Sequence, residues 1–164
     1  MIIRFKKGVV LFLLLSLFIM TDSKTLEAQI YTGGTMGVNY NNGYIVELAP
    51  LLGYKYKIFE SGVSPFISYL QSTGKYAFGG RIFSDVTFYK DIFAHAEFEV
   101  ANTEKIDDNH IERQWVISMP LGAGYRYKLM DGVYAYGMIL YNVLHSSDSP
   151  TKNPIVRGGI TYQP

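Results

Sequence analysis

The segment Gln114–Tyr127 reads QWVISMPLGAGYRY, and its residues alternate between two chemical types. One set is mostly bulky and apolar: Trp115, Ile117, Met119, Leu121, Ala123, Tyr125 and Tyr127. The other set is mostly smaller or polar: Gln114, Val116, Ser118, Pro120, Gly122, Gly124 and Arg126. Alternation over this length predicts a β-strand with two different faces. The fold class depends on which of these faces points into the protein.

The same alternation recurs along the rest of the chain and predicts eight strands. They are Ile30–Tyr40, Tyr44–Tyr56, Val63–Gln71, Tyr76–Tyr89, Ile92–Thr103, Gln114–Leu129, Val133–Leu144 and Ile155–Tyr162. Most of them reach the length of about 9–11 residues that a tilted transmembrane strand needs. Soluble strands are usually shorter, at about 5–6 residues.

The connections between the predicted strands alternate in length. The fourth and sixth are tight, at Lys90-Asp91 and Met130-Asp131-Gly132. Longer polar connections follow the third, fifth and seventh strands, at Gln71–Lys75, Glu104–Arg113 and His145–Pro154. The first connection, around Asn41-Asn42-Gly43, is an exception, because Asn-Gly favours a short hairpin turn. An even strand number with short turns at one end and longer loops at the other is typical of transmembrane β-barrels.

Side-chain volume indicates which face is inside. The apolar set of the second strand is Tyr44, Val46, Leu48, Pro50, Leu52, Tyr54 and Tyr56. Repeated over eight strands, such sets are too bulky for an interior that is only just wide enough for side chains. The small or polar sets fit a narrow interior, so we expect the apolar sets to face outward.

The charged residues give a second test of the same assignment. The inward candidates are Glu47, Lys55, Arg81, Asp85, His95, Glu97, Glu99, Arg126 and Arg157. The outward sets of the same strands carry no charge. A soluble barrel would scatter Lys and Glu over its outer face, whereas Arg or Lys facing the middle of a bilayer costs about 2–4 kcal/mol. The pattern predicts an all-β, eight-stranded, antiparallel, up-and-down transmembrane β-barrel with a side-chain-filled interior.

Cross-strand neighbours can be predicted from the two tight turns. A three-residue turn at Tyr89–Asp91 sets Asp85 opposite His95 and Arg81 opposite Glu99, and opposite charges in such positions attract. A turn at Met130–Gly132 sets Gly124 opposite Met138 and Gly122 opposite Leu140, so that small residues face large ones. We interpret Glu47, Arg81, Asp85, His95, Glu97, Glu99, Arg126 and Arg157 as a structural interior charge network. The alternative is a narrow or gated polar path.

Aromatic residues cluster toward the ends of the predicted strands, as in the interfacial girdles of membrane barrels. One ring is expected at the periplasmic interface, with Tyr54, Tyr56, Phe88, Tyr125, Tyr127 and Tyr162. The other is expected at the outer interface, with Tyr40, Tyr44, Tyr69, Tyr76 and Trp115.

The first 28 residues are expected to form a separate unit. Arg4, Lys6 and Lys7 precede an apolar run of 13 residues, Gly8–Met20, which is short for a membrane-spanning helix. A polar stretch ending at Ala28 follows. This is the pattern of a secretory signal peptide, so we expect residues 1–28 to be removed and residues 29–164 to form the exported barrel.

Composition and local motifs exclude several kinds of site. With 15 Lys+Arg against 14 Asp+Glu there is no electrostatic argument for nucleic-acid binding, and without Cys there is no disulfide or thiolate metal site. Asp107, Asp108 and Asn109 lack the EF-hand spacing for calcium. Glu104–Arg113 carries both charge signs and is expected to be a mobile external loop. No metal or cofactor is expected.

The chain resembles the small eight-stranded outer-membrane barrels of the OmpA/OmpX type of Gram-negative bacteria, a porin-like architecture, over Ile30–Tyr162. The last strand, in IVRGGITYQP, resembles their C-terminal assembly signal, with Val156, Ile160 and Tyr162 alternating outward. It departs from the usual aromatic end because Gln163 and Pro164 follow. The resemblance implies location in the outer membrane, contact with outer-membrane lipid and lipopolysaccharide, and recognition by the barrel-assembly machinery.

The function expected from these features is a non-enzymatic, at most weakly permeable scaffold that presents external loops to an unidentified ligand. Two alternatives remain open. One is a lipid A- or phospholipid-modifying barrel enzyme, for which His95 with Glu97, or His145 with Ser146 and Ser147, would supply the catalytic groups. The other is a soluble lipocalin-like ligand carrier.

Overall fold

The computed structural model describes residues 29–40, 44–71, 74–107, 110–144 and 153–164, with the backbone alone for residues 40, 104–107 and 110–112. The predicted signal peptide and its cleavage bond lie outside these ranges. None of the described residues belongs to a helix long and apolar enough to cross a membrane.

Nine strand segments follow one another along the chain. They are β1 (Gln29–Tyr40), β2 (Tyr44–Tyr56), β3 (Phe59–Leu70), β4 (Lys75–Tyr89), β5 (Ile92–Asp107), β6 (His110–Ser118), β7 (Pro120–Met130), β8 (Val133–Asn142) and β9 (Ile155–Tyr162). One half of β5 pairs with β6 and the other half with β7, so β6 and β7 form a single barrel strand that is interrupted at Met119. The sheet closes because β1 pairs with both β2 and β9. The predicted eight-stranded antiparallel barrel is therefore confirmed.

The two faces of the sheet are arranged as volume and charge predict. The outward-facing side chains are mostly apolar, and the inward-facing set contains the buried charges. On β5, Phe98 is 39 % exposed on the outer wall whereas Glu97 is 3 % exposed inside. A soluble lipocalin-like barrel would have the opposite arrangement, so that alternative does not fit this structure.

The predicted register of the two tight hairpins is present. Asp85 pairs with His95 and Arg81 with Glu99 between β4 and β5. Gly122 pairs with Leu140 and Gly124 with Met138 between β7 and β8. Both hairpins contain a register shift beside the turn. The second also has Gly132 at φ 74°, a conformation that glycine adopts without strain.

Two predicted boundaries were wrong. The expected loop Glu104–Arg113 is instead a hairpin extension, with paired residues from Glu104↔Arg113 to Asp107↔His110. Strand ladders can continue beyond the apolar belt, where polar side chains on both faces are in water. The third strand begins at Phe59 instead of Val63, because Lys57 adopts a positive φ of 53° and makes a two-residue turn with Ile58.

The ladder between β2 and β3 is interrupted in the middle of the outer wall. Pairing is present at Leu48↔Ile67 and resumes at Leu52↔Val63, with Pro50 and Pro65 in the gap. Proline has no backbone N–H, so neither residue can donate to the opposite strand. The Ser64 hydroxyl, from the inner face, donates to the Pro50 carbonyl oxygen at 2.8 Å. This contact satisfies an acceptor that lipid could not.

Candidate functional site

The barrel has two distinguishable ends. The turn end carries the turns at residues 57–58, 90–91 and 131–132 together with residues 29 and 164, and the loop end is the opposite one. All eight predicted network residues lie inside the barrel and are only 3–8 % exposed: Glu47, Arg81, Asp85, His95, Glu97, Glu99, Arg126 and Arg157.

Two arginines and three glutamates form a cluster in the half of the barrel toward the loop end. Arg157 contacts Glu97, Glu99 at 3.0 Å and Glu47 at 3.3 Å. Arg81 lies 2.5 Å from Glu47, and 3.7 and 3.8 Å from Glu97 and Glu99. The cross-strand partner predicted for Arg81, Glu99, is therefore a more distant contact than Glu47, which reaches Arg81 from a strand that is not its neighbour.

His95 connects this cluster to the rest of the interior. Its Nδ1 lies 2.5 Å from an Asp85 carboxylate oxygen, and its Nε2 lies 3.1 Å from a Glu97 carboxylate oxygen. Carboxylates only accept hydrogen bonds, and both imidazole nitrogens donate only in the imidazolium form. The ring also stacks on Phe83 at 5.9 Å between centroids. His95 is thus placed as a buried cation that is held by two carboxylates.

A second cluster lies at the turn end and contains residues that the sequence did not single out. Arg126 makes a two-pronged contact with Glu60, at 2.5 and 2.9 Å. Glu60 also accepts from Lys55 at 3.2 Å and from Gln163 at 3.4 Å. Arg126 lies 3.8 Å from Asp85, which links the two clusters. The sequence pattern does not assign Glu60 to the interior, because it falls in the predicted connection before Val63, although it shares the inward alternation of Ser64 and Ser68.

The charges of the described interior balance when His95 is counted as a cation. The carboxylates are Glu47, Glu60, Asp85, Glu97 and Glu99, and the cations are Lys55, Arg81, His95, Arg126 and Arg157. The cavity among these side chains has a volume of only about 30 Å³. That is room for about two water molecules. The described interior is therefore a packed, neutral plug without an open channel.

The predicted aromatic girdle residues whose side chains are described lie on the outer wall. Tyr44, Tyr69, Tyr76 and Trp115 are exposed near the loop end, and Phe88, Tyr125, Tyr127 and Tyr162 near the turn end. Tyr54 and Tyr56 are half-buried, and for Tyr40 only the backbone is described. Further outward aromatics that were not assigned to a ring are Phe59, Tyr89 and Tyr141.

The candidate catalytic groups do not form a nucleophile–base pair within the described residues. Both nitrogens of His95 contact carboxylates, so neither lies against a hydroxyl that it could deprotonate. His145, Ser146 and Ser147 lie outside the described ranges, as do Asp108 and Asn109, and Asp107 is described by its backbone alone. Where side chains are described, no group of His, Asp or Glu has the arrangement of a metal site.

Comparison with known proteins identifies the fold. No family model and no curated protein sequence matches the chain. The N-terminal β-barrel domain of Pseudomonas aeruginosa OprF is similar with a TM-score of 0.51 and 12% identity, covering 83% of this chain and 96% of that one. Neisserial surface protein A (NspA) has a TM-score of 0.54 and 12% identity, with the same coverage. The chain has the fold of the small eight-stranded outer-membrane barrels.

Proposed function

We propose that this protein is a non-enzymatic barrel of the bacterial outer membrane that holds the connections of its loop end outside the cell. The observation that carries the proposal is the reversed polarity of the barrel. Between the aromatic girdles, none of the outward side chains described is charged, whereas ten charged groups are collected inside. Lipid tolerates such a wall and requires a closed sheet, since it offers no hydrogen bonds to a sheet edge.

The orientation can be tested with single cysteines, because the chain has none of its own. Asn109→Cys lies between β5 and β6 at the loop end, and the matched control Asp91→Cys lies in a turn at the other end. We expect a membrane-impermeant maleimide to label the first variant on intact cells and the second only after lysis. Recovery of the protein in the soluble periplasm, or the opposite labelling, would overturn the proposal.

The plugged interior supports a barrel that conducts at most weakly. In planar bilayers we expect the purified protein to show no stable open channel, because ions have no continuous path through a cavity of about 30 Å³. A steady, long-lived conductance would contradict the plug. The proposal also excludes catalysis, so variants of His95 and His145 should leave the lipid A composition of the cell unchanged.

Two parts of this proposal rest on the sequence. We propose that residues 1–28 are a cleaved signal peptide, so N-terminal sequencing of the membrane form should begin at Gln29. We also propose that the outward-facing Val156, Ile160 and Tyr162 of β9, which are 52–54 % exposed, are recognised by the barrel-assembly machinery. Tyr162→Ala should then slow insertion and leave more unassembled protein in the periplasm.

A further inference from the structure

A cation lies on the outer wall at the loop end, among the aromatic side chains of that interface. Arg113 follows the outward alternation of Trp115 and Ile117 on β6, and its side chain is exposed. Its guanidinium lies over the ring of Phe78, 5.4 Å from the centroid. It donates to the Asn102 side-chain oxygen at 3.2 Å and to the Tyr76 carbonyl oxygen at 3.4 Å. These contacts hold the charge beside Tyr76 and Trp115, two aromatic residues that the sequence predicts at the outer interface.

A depression in the apolar wall lies on the membrane side of this arginine. Its volume is about 290 Å³, and its outward-facing lining residues are Val63, Pro65, Gly80, Ile82, Phe98 and Val100. Gly80 and Pro65 pair with each other and form the low floor, because neither has a long side chain.

The cation and the depression are adjacent along the same strands. Phe78, Asn102 and Trp115 are in register across β4, β5 and β6, and Gly80 is in register with Val100. Gly80 is the next outward residue after Phe78 on β4, which places it about 7 Å further into the membrane. The guanidinium of Arg113 thus lies beside Phe78, one outward position along β4 from Gly80 at the floor of the apolar depression.

We propose that Arg113 and this depression form a binding site for a phosphate-bearing membrane lipid, with the phosphate on the guanidinium and an acyl chain in the depression. The proposal rests on the proposed function, because it requires the loop end to face a leaflet. A planar guanidinium matches phosphate oxygens with paired hydrogen bonds, which makes arginine well suited to this headgroup.

The two halves of the site contribute differently. Neighbouring lipid tails are as apolar as protein side chains, so burying an acyl chain in the wall brings little hydrophobic gain inside a bilayer. The depression therefore contributes by fitting the shape and position of an acyl chain. The charge-assisted hydrogen bonds to phosphate provide most of the preference for a phosphate-bearing lipid over its dephosphorylated form. Removing the charge should weaken binding more strongly than filling the depression.

The test is a titration of the purified full-length barrel in detergent micelles, with bound lipid counted by native mass spectrometry. The probes are lipid A and the same lipid after enzymatic removal of its phosphates. Gly80→Leu fills the depression without a steric clash at its Cβ, because a Cβ at this position meets no atom within 4 Å. The matched control is Lys128→Gln, an exposed cation near the turn end.

For wild type we expect tighter binding of lipid A than of its dephosphorylated form. Arg113→Gln should weaken lipid A binding by about tenfold or more, given the strength of charge-assisted hydrogen bonds. Gly80→Leu should weaken it severalfold, and Lys128→Gln should leave it unchanged.

Three results would overturn the proposal: equal binding of the two probes, equal losses in the Arg113 and Lys128 variants, or displacement of lipid A by inorganic phosphate with no effect of Gly80→Leu. The last result would show a site for phosphate alone. None of these results depends on the cellular location of the protein, which cysteine labelling tests separately.

Discussion

Replacing Arg157 with methionine should be among the most damaging single changes inside the barrel. Arg157 contacts three carboxylates, those of Glu47, Glu97 and Glu99. Without it, Arg81 is the remaining arginine among these glutamates, and His95 contacts one of them, Glu97. Methionine retains much of the side-chain volume, so the expected loss comes from charge and hydrogen bonding and not from a cavity.

The magnitude follows from the burial of the group. Removing one partner of a buried ion pair typically costs about 3–5 kcal/mol, because the other charge is left uncompensated. Three carboxylates lose a contact here, so we expect the upper part of that range. Because whole domains are stable by about 5–15 kcal/mol, the variant should be severely weakened but measurable.

Glu99→Gln makes the prediction specific to the pair. Glu99 contacts Arg157 at 3.0 Å and Arg81 only at 3.8 Å, so its main partner is Arg157. Combining Glu99→Gln with Arg157→Met removes an uncompensated negative charge. The double variant should therefore lose less stability than the sum of the single losses, by about 0.5–3 kcal/mol.

Unfolding by urea from lipid vesicles is the appropriate assay, with Trp115 fluorescence as the signal. Trp115 is the single tryptophan and is 63 % exposed on the outer wall, so its emission should shift to the red when it leaves the membrane. Stability is obtained by linear extrapolation, with the slope compared among variants. A loss below about 1 kcal/mol for Arg157→Met at unchanged slope, or simple additivity of the double variant, would refute the reasoning.

Three further changes test other parts of the barrel in the same assay. Ser64→Ala should cost about 1–3 kcal/mol, because the Pro50 carbonyl oxygen loses its donor within the interrupted ladder. Gly124→Val should cost about 1–3 kcal/mol or more, because the added Cβ would collide with the Phe93 ring. Ile139→Arg should cost about 2–4 kcal/mol in vesicles, because the 62 % exposed side chain faces lipid.

Each of these changes has a matched control. Ser61→Ala removes an exposed hydroxyl contact with Ser84 and should have a smaller effect than Ser64→Ala. Gly80→Ala adds its Cβ in open space and should be nearly neutral, unlike Gly124→Val. If Ile139→Arg proved neutral, the outer wall would be in water, and the membrane assignment would fail.

The sequence predicted which face of each strand points inward, because alternation, side-chain volume and charge indicate the same face within a single strand. It predicted the pairing of Asp85 with His95 and of Gly124 with Met138, because tight turns fix the register of the two strands that they join. It did not predict the gap at Pro50 and Pro65. The two prolines become neighbours only through the register of β2 and β3, whose connecting turn was placed too long.

The ion-pair partners of the interior charges could not be predicted from the sequence, and the reason is geometric. A strand pattern identifies neighbours on adjacent strands, but in a closed narrow barrel a long side chain also reaches strands that are not its neighbours. The shortest ion pair of Arg81 on β4 is with Glu47 on β2. The shortest ion pair of Arg126 on β7 is with Glu60 on β3. Gln163, which departs from the aromatic C-terminal pattern, is buried and donates to Glu60.

These crossing contacts bear on where the protein can act. Arg157 on β9 holds carboxylates of β2 and β5, and Arg126 holds carboxylates of β3 and β4. A water-filled path along the barrel would have to separate several of these pairs together, and each separation would leave a buried charge without a partner. The described interior therefore serves to close the barrel, which is why we propose recognition at the loop end and on the outer wall around Arg113.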